Sequence, residues 1–399
     1  ERYDTVNGLL WRVTLVSPRQ RTDEPQQFEI VVAFHHLVAD GLSGAIVIDE
    51  LSRLLSGIGN DRLSSDSNGS HFSSLLESIP LDPHLTPVEA AVDCRPSFLA
   101  FLGELRGILA AKMYSIFSAL NPFADRSRPL LPDVVLPISP NPADWEATST
   151  SKAVRRTLGE GELAQLYSRC KEEGCTVNAA LYAASTLSMV LVEESLRASE
   201  NGASVTSMPS QWHVRGAFPV ALRRAAGERL PTNAVGVFLT QASIEERVSS
   251  STSFWQFSRL VNKETARQTP HIIELVGMLQ FIPSVKLLLD TQRSSTTAGR
   301  EFSFNTSNLG RMPTLPERCR CPAWTPTDVF FSQQVHAGAG SAVSLGAVTY
   351  NGRLQLAWNA PAPVVPASVT ELQAAYVARI LAAASEPNSS GLALADLLP

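Results

Sequence analysis

Two adjacent histidines and a nearby aspartate are the residues in this sequence best suited to chemistry. His35 and His36 follow an apolar, strand-like run that ends at Phe34, and Asp40 lies four residues after His36 and is followed by Gly41. A neutral imidazole has an ordinary pKa of about 6.5 and can accept a proton near neutral pH. Side chains at the end of a strand are held by a rigid element and can project into a cleft. The spacing is therefore consistent with a general base at a strand end.

The same residues have two other interpretations. The histidines can pack at the strand end while Asp40 only caps the following helix, and Gly41 can permit close backbone approach or a positive φ. Taken alone, the residues favour this packing interpretation, because short motifs often match by chance. A metal site formed by His35, His36 and Asp40 is the weaker alternative. Adjacent strand residues point to opposite faces, and the sequence has no HExxH or paired CxxC pattern.

The elements around the motif follow from hydrophobic periodicity. Alternation predicts strands over 9–16 and 28–34, and apolar residues spaced on one face predict a helix from Leu42 to Ile58 that ends at Gly57 and Gly59. Asn351-Gly352 between apolar runs predicts a hairpin over 342–358. Further strands are predicted over 152–158, 212–222, 235–244, 301–306 and 329–336, and helices over 97–120, 160–171, 176–194, 253–268, 271–291 and 367–385. This order favours mixed sheets covered by helices, an α/β class.

Length and composition indicate a globular chain with two parts. A chain of 399 residues with 44% hydrophobic residues can form a large core, and a proline-rich stretch over 121–150 is the candidate linker. We therefore expect an N-terminal lobe over 1–150 and a C-terminal lobe over 151–399. The net charge of −5 excludes the basic surface that nucleic-acid binding needs. Five cysteines do not suggest a disulfide scaffold, so a reducing compartment is expected.

No signal peptide or membrane-spanning segment is expected from the sequence. The apolar stretch from Phe98 to Leu120 contains Glu104, Arg106 and Lys112, which argues against a spanning helix. A core-facing helix is favoured there, with contact at a membrane surface as the alternative. The chain starts abruptly in strand-like sequence without a methionine, so we expect a native N-terminus to be missing.

The segment His35–Gly41, HHLVADG, resembles the HHxxxDG motif of the coenzyme A-dependent acyltransferase superfamily. Val92–Leu99, before an apolar helix, resembles the fungal alcohol acetyltransferases of secondary metabolism. Other segments match weakly but follow in the order of the superfamily: Cys175–Leu181, Phe218–Arg224, Leu230–Asn233, Gly236, Ser307–Gly310 and the hairpin around Tyr350–Leu354. The resemblance extends from about residue 9 to residue 385.

The resemblance implies a two-lobed, chloramphenicol-acetyltransferase-like α/β fold in which each lobe is a mixed sheet flanked by helices. By this match His36 and Asp40 are the catalytic residues of the motif: His36 is the base, and Asp40 acts mainly through its pairing with Arg223. His35 and Gly41 support the motif. Ser307 and Asn308 are expected to bind substrate or a developing oxyanion, with a simple turn before Gly310 as the alternative.

The implied reaction moves an acyl group, expected to be acetyl, from acyl-CoA to a small alcohol, with an amine as a second acceptor class. Acyl-CoA is then a co-substrate, and no permanently bound cofactor, metal or nucleic acid is expected. The alternatives are a non-catalytic relative that binds acyl groups and a condensation-like enzyme that uses a carrier protein. We expect a monomer in the cytoplasm, with peripheral contact to the endoplasmic reticulum or lipid droplets as an alternative. Only 34 residues precede the motif, so the first lobe is expected to be truncated.

Overall fold

The computed structural model describes two compact units. Unit 1 comprises Glu1–Asp93, Ala221–Leu239 and Met312–Asp328, and unit 2 comprises Cys94–Val220, Thr240–Arg311 and Val329–Pro399. The described residues are 8–17, 28–61, 88–95, 97, 98, 102, 130, 150–201, 211–278, 300–312, 326–335 and 340–398. Most of the predicted helix over 97–120 and of the predicted linker lies outside them. The expected division of the chain near residue 150 therefore stays a prediction.

Strands and helices are mixed along the described chain, as the sequence predicted. In chain order they are β1 (Trp11–Val16), β2 (Glu29–Phe34), α1 (Gly41–Asp61), α2 (Val88–Ala91), β3 (Thr150–Ser151), β4 (Val154–Leu158), α3 (Glu160–Glu172), α4 (Val177–Asn201), β5 (Trp212–Ala221), α5 (Arg223–Ala226), β6 (Leu239–Val248), α6 (Phe254–Met278), β7 (Arg300–Arg311), β8 (Gly340–Tyr350), β9 (Arg353–Asn359), β10 (Pro361–Ala362) and α7 (Ala367–Ser385).

Unit 1 carries the histidine motif between a hairpin and a helix. β1 and β2 pair antiparallel, with Trp11 opposite Phe34 and Val16 opposite Glu29. The chain then turns and enters α1. This helix continues through Gly57 and Gly59, where the sequence predicted its end, because a glycine costs a helix only about 1 kcal/mol and keeps its backbone hydrogen bonds.

Unit 2 is built on a six-stranded mixed sheet in the order β4-β9-β8-β7-β5-β6. β4–β9 and β8–β9 are antiparallel, whereas β7–β8 and β5–β7 are parallel. The predicted hairpin is confirmed, since Asn351 and Gly352 both have positive φ, at 46° and 71°, as a two-residue turn of type I′ requires. α4 packs against α6, α7 and β7. The mixed, helix-flanked sheet expected from the order of elements is therefore present.

The predicted strand over 329–336 is wrong for the residues that the structure describes there. Residues 329–335 form no strand and instead cross a face of the sheet. The Phe331 carbonyl lies against Gly346 of β8, so closely that a Cβ on that glycine would be 2.4 Å from the oxygen. Gln333 donates to Ser344 at 2.6 Å, also on β8. The segment thus packs on a face of the sheet and does not pair at its edge.

The two helices predicted over 253–268 and 271–291 are a single helix, α6, in the described residues. Pro270 lies inside it and removes one backbone donor. Thr265 and Thr269 donate side-chain hydrogen bonds to the carbonyls four residues earlier, both at 2.7 Å. α6 also packs against α4. Tertiary packing thus offsets the cost of an internal proline, which periodicity alone does not reveal.

Candidate active site

Asp40 is the anchor of the motif and lies directly before α1. The residue is buried, at 2% exposure. Oδ1 accepts the backbone N–H of Ser43 at 2.7 Å, which is the capping bond of a helix start. Oδ1 also accepts Nη2 of Arg223 at 2.9 Å, and Oδ2 accepts the backbone N–H of Phe238 at 2.9 Å. The motif aspartate therefore caps α1 and at the same time joins it to the segment 223–238.

Ser43 completes this network, and the sequence reasoning missed it. Its hydroxyl is fully buried and accepts the Gly236 N–H at 3.0 Å and Nη2 of Arg223 at 2.8 Å. The hydroxyl oxygen also lies 2.7 Å from both Asp40 Oδ1 and the Gly236 carbonyl, with one proton to share between them. A serine three residues after a capping aspartate was the signal that could have indicated it.

Arg223 reaches the motif from a segment 183 residues away in sequence. Nη1 donates to the Ala234 carbonyl at 2.8 Å, and the guanidinium lies 4.8 Å from the centre of the Phe238 ring. The Arg223 side chain is 17% exposed and that of Asp40 is 3% exposed. The structure thus contains the Asp40–Arg223 ion pair that the resemblance implied, in a site where loss of either charge leaves the other poorly hydrated.

The two histidines lie on the turn between β2 and α1 and have different surroundings. The backbone N–H of His35 donates to the Leu10 carbonyl at 2.7 Å, and its Nδ1 accepts the Leu37 N–H at 3.2 Å. The turn closes with the Val38 N–H donating to the His35 carbonyl at 3.1 Å. His36 is exposed to solvent. Hence His35 supports the turn, while His36 presents an accessible imidazole between two anchored ends.

Gly41 is the first residue of α1 and has no positive φ, so the left-handed conformation considered for it does not occur. The backbone of the Asp40 region approaches the chain at Gly236 closely, because the Asp40 N–H donates to the Gly236 carbonyl at 2.9 Å. The close backbone contact that was considered for Gly41 is therefore made by the preceding residue, Asp40, with Gly236.

Ser307 and Asn308 lie on β7 in unit 2, whereas the histidine motif is in unit 1. Ser307 is 4% exposed. Asn308 Oδ1 accepts the Gly310 N–H at 2.9 Å, and Gly310 has a φ of 76°. The Asn308 side chain therefore supports an irregularity within β7, where the register with β8 shifts between Asn308 and Arg311, and the simple turn before Gly310 that the sequence left open does not occur. Substrate contact by either residue stays a prediction.

Within the described ranges, no group of three or more histidine, cysteine or carboxylate side chains is arranged to hold a metal ion. In the same residues, no single helix is long and apolar enough to cross a membrane. α3 and residues 177–199 of α4 together have the length and apolar composition of a membrane span, but they are bent by 99° relative to each other.

Solved structures of low sequence identity match almost the whole chain. The chain is similar to the EpoB NRPS cyclization-docking bidomain from Sorangium cellulosum, with a TM-score of 0.55 and 16% identity over 98% of this chain. It is also similar to TRI3 trichothecene 15-O-acetyltransferase from Fusarium sporotrichioides, with a TM-score of 0.56 and 15% identity over 94% of this chain and 70% of that one. The chain is similar, too, to the condensation domain of the Monacolin K polyketide synthase MokA, with a TM-score of 0.51 and 15% identity over 99% of this chain and 76% of that one.

The chain has the condensation-domain fold. It spans 65% of the length of the EpoB bidomain. No protein-family model and no curated protein matches the sequence. Because one fold supports several activities, the function of this condensation-fold chain has to be argued from its site.

Proposed function

We propose that the protein is an acyltransferase that moves an acyl group, expected to be acetyl, from acyl-CoA to a small alcohol. The observation that carries the proposal is the position of His36. Its imidazole is exposed on a turn that is anchored by β2 on one side and by the buried Asp40–Arg223–Ser43 network on the other. The fold shared with an O-acetyltransferase and with condensation domains supports the same class of reaction.

His36 acts as the general base in this proposal. A neutral alcohol is a weak nucleophile, and His36 accepts the hydroxyl proton as the oxygen attacks the thioester carbonyl. The tetrahedral intermediate then collapses, the ester forms, and the departing thiolate takes the proton back from the imidazolium. No covalent acyl-enzyme is needed. Asp40 is a positioning residue, because all its described contacts hold the turn and none leaves the carboxylate open to substrate.

The test is release of free thiol from acetyl-CoA in the presence of a panel of alcohols. Replacing His36 by alanine is expected to lower turnover by about 10²–10⁴-fold, the usual contribution of a positioned base. His271→Ala is the matched control, since it removes an exposed imidazole from α6 in unit 2. Turnover by the folded His36→Ala protein at the rate of the control variant would contradict the role of the base.

The donor is tested in a second arm. The same assay is repeated with the acyl group on the phosphopantetheine arm of a carrier protein. Transfer only from the carrier protein would contradict acyl-CoA as donor and keep His36 as base. Acyl-CoA binding without transfer to any acceptor would contradict catalysis and leave the non-catalytic relative that the sequence also allowed. Ser307→Ala, compared for KM and kcat, tests the predicted substrate contact.

A further inference from the structure

The turn between α3 and α4 brings two cysteines together through its backbone geometry. The Cys175 N–H donates to the Cys170 carbonyl at 2.9 Å, and the Gly174 N–H donates to the Lys171 carbonyl at 3.3 Å. Gly174 has a φ of 66°, in the left-handed region. These two bonds and the glycine form a Schellman motif, in which the side chains of the first and last residues commonly contact each other. Here both of those residues are cysteines.

The two thiols have unequal surroundings. Cys170 is buried, at 3% exposure, and Cys175 is partly exposed. The neighbouring Cys170 thiol lowers the pKa of Cys175, and the Cys175 thiol raises the pKa of Cys170. Arg259 also lowers the pKa of Cys175, against the opposing effects of burial and Glu173. Cys175 is thus the thiol with the greater exposure and the lowered pKa.

We propose that Cys170 and Cys175 are a modification site, a peroxide-reactive dithiol that closes to a disulfide. The Cys175 thiolate attacks one oxygen of hydrogen peroxide, which breaks the O–O bond, forms a sulfenic acid and releases hydroxide. The Cys170 sulfur then attacks the Cys175 sulfur, and its proton leaves with the hydroxyl group as water. The cysteines lose two electrons in total, and the peroxide gains them.

The geometry favours this pair as reacting and resolving thiols. An accessible thiolate next to a second thiol is the arrangement found at redox-sensitive cysteines. A disulfide requires its two Cβ atoms about 3.5–4.5 Å apart, and the Schellman motif, closed by the Cys175 N–H bond to the Cys170 carbonyl, is the backbone geometry in which side chains at these two positions commonly meet. Cys94, the remaining cysteine among the described residues, is buried in a separate part of the chain and is the internal control.

The sequence provides a direct readout, because Lys171 lies between the two cysteines. The full-length protein is treated with hydrogen peroxide, its remaining thiols are alkylated, and it is digested with trypsin without reduction. The expected product is a disulfide-linked pair of peptides, Cys170–Lys171 and Glu172–Arg197, that separates on reduction. In Cys170→Ser the expected product is a sulfenic acid at Cys175 that reacts with dimedone, whereas Cys94→Ala is expected to form the linked pair like the wild type.

Two outcomes would overturn the proposal. One is that both cysteines stay available for alkylation at peroxide doses that oxidise other thiols of the protein. The other is that Cys175 in the wild type accumulates as sulfenic or sulfinic acid without linkage to Cys170. The wild-type digest decides both outcomes and does not depend on how well any variant folds.

Discussion

Replacing Asp40 by alanine is expected to loosen the start of α1 and the segment 223–238 together. The substitution removes the helix cap and the acceptor for the Phe238 N–H, and it leaves the Arg223 guanidinium without its carboxylate. Both consequences arise within unit 1, so the effect is expected to be local and not spread over the whole chain.

The size of the effect follows from the burial of the pair. Removing one partner of a buried ion pair costs about 3–5 kcal/mol. The lower end, about 3 kcal/mol, is expected here because the Arg223 side chain keeps 17% exposure and its Nη1 stays bonded to the Ala234 carbonyl. Since about 1.4 kcal/mol corresponds to a factor of ten, local opening is expected to become about 10²-fold more frequent.

Amide hydrogen exchange measures this opening residue by residue. The Ser43, Gly236 and Phe238 amides all donate into the network and are expected to exchange about 10²-fold faster in Asp40→Ala. Amides of the β8–β9 hairpin in unit 2 are expected to be unchanged. Asp49→Ala is the matched control, because Asp49 on α1 pairs with the half-exposed Arg53 at 3.0 Å and such surface pairs contribute at most about 1 kcal/mol.

A double-mutant cycle decides whether the unpaired charge is the cause. Asp40→Ala with Arg223→Ala is expected to cost at least about 1 kcal/mol less than the sum of the single variants, since the double variant leaves no buried charge unpaired. If the two effects add, or if the three amides exchange as slowly in Asp40→Ala as in Asp49→Ala, the reasoning is wrong.

Two further predictions concern unit 2. Gly346→Ala is expected to destabilise the protein by about 1–3 kcal/mol in chemical denaturation, because the new Cβ would meet the Phe331 carbonyl. Gly161→Ala is the control, because there is open space around Gly161. An equal change in stability for the two variants would contradict the prediction. Burial raises the pKa of Glu194, whose Oε1 has no partner among the described residues, so its carboxylate destabilises the native state as pH rises. Glu194→Gln is expected to raise the free energy of unfolding by about 1 kcal/mol near neutral pH and to lose this advantage in acid. Glu386→Gln is the control, because Glu386 is exposed. A gain that does not depend on pH, or an equal gain in the control, would contradict the prediction.

The parts of the fold that sequence analysis predicted well depend on neighbours in the chain. α7 occupies residues 367–385 as predicted, and the turn at Asn351-Gly352 forms because those two residues tolerate positive φ. The strand, turn and helix around His36 were likewise visible, because a change from alternating to helical periodicity is a local signal. The superfamily pattern pointed to the pairing of Asp40 with Arg223, which periodicity alone could not show.

Only the tertiary structure decided which distant groups meet. The Phe238 N–H that binds Asp40 is 198 residues away, and the role of Ser43 depends on Gly236 lying beside it. The continuation of α6 through Pro270 and the course of residues 329–335 over the sheet also depend on packing against other elements. Backbone preferences act over a few residues, whereas a buried polar group is satisfied by whichever segment the folded chain brings to it. The sequence therefore determined the elements and their types, and the fold determined the network that holds the motif.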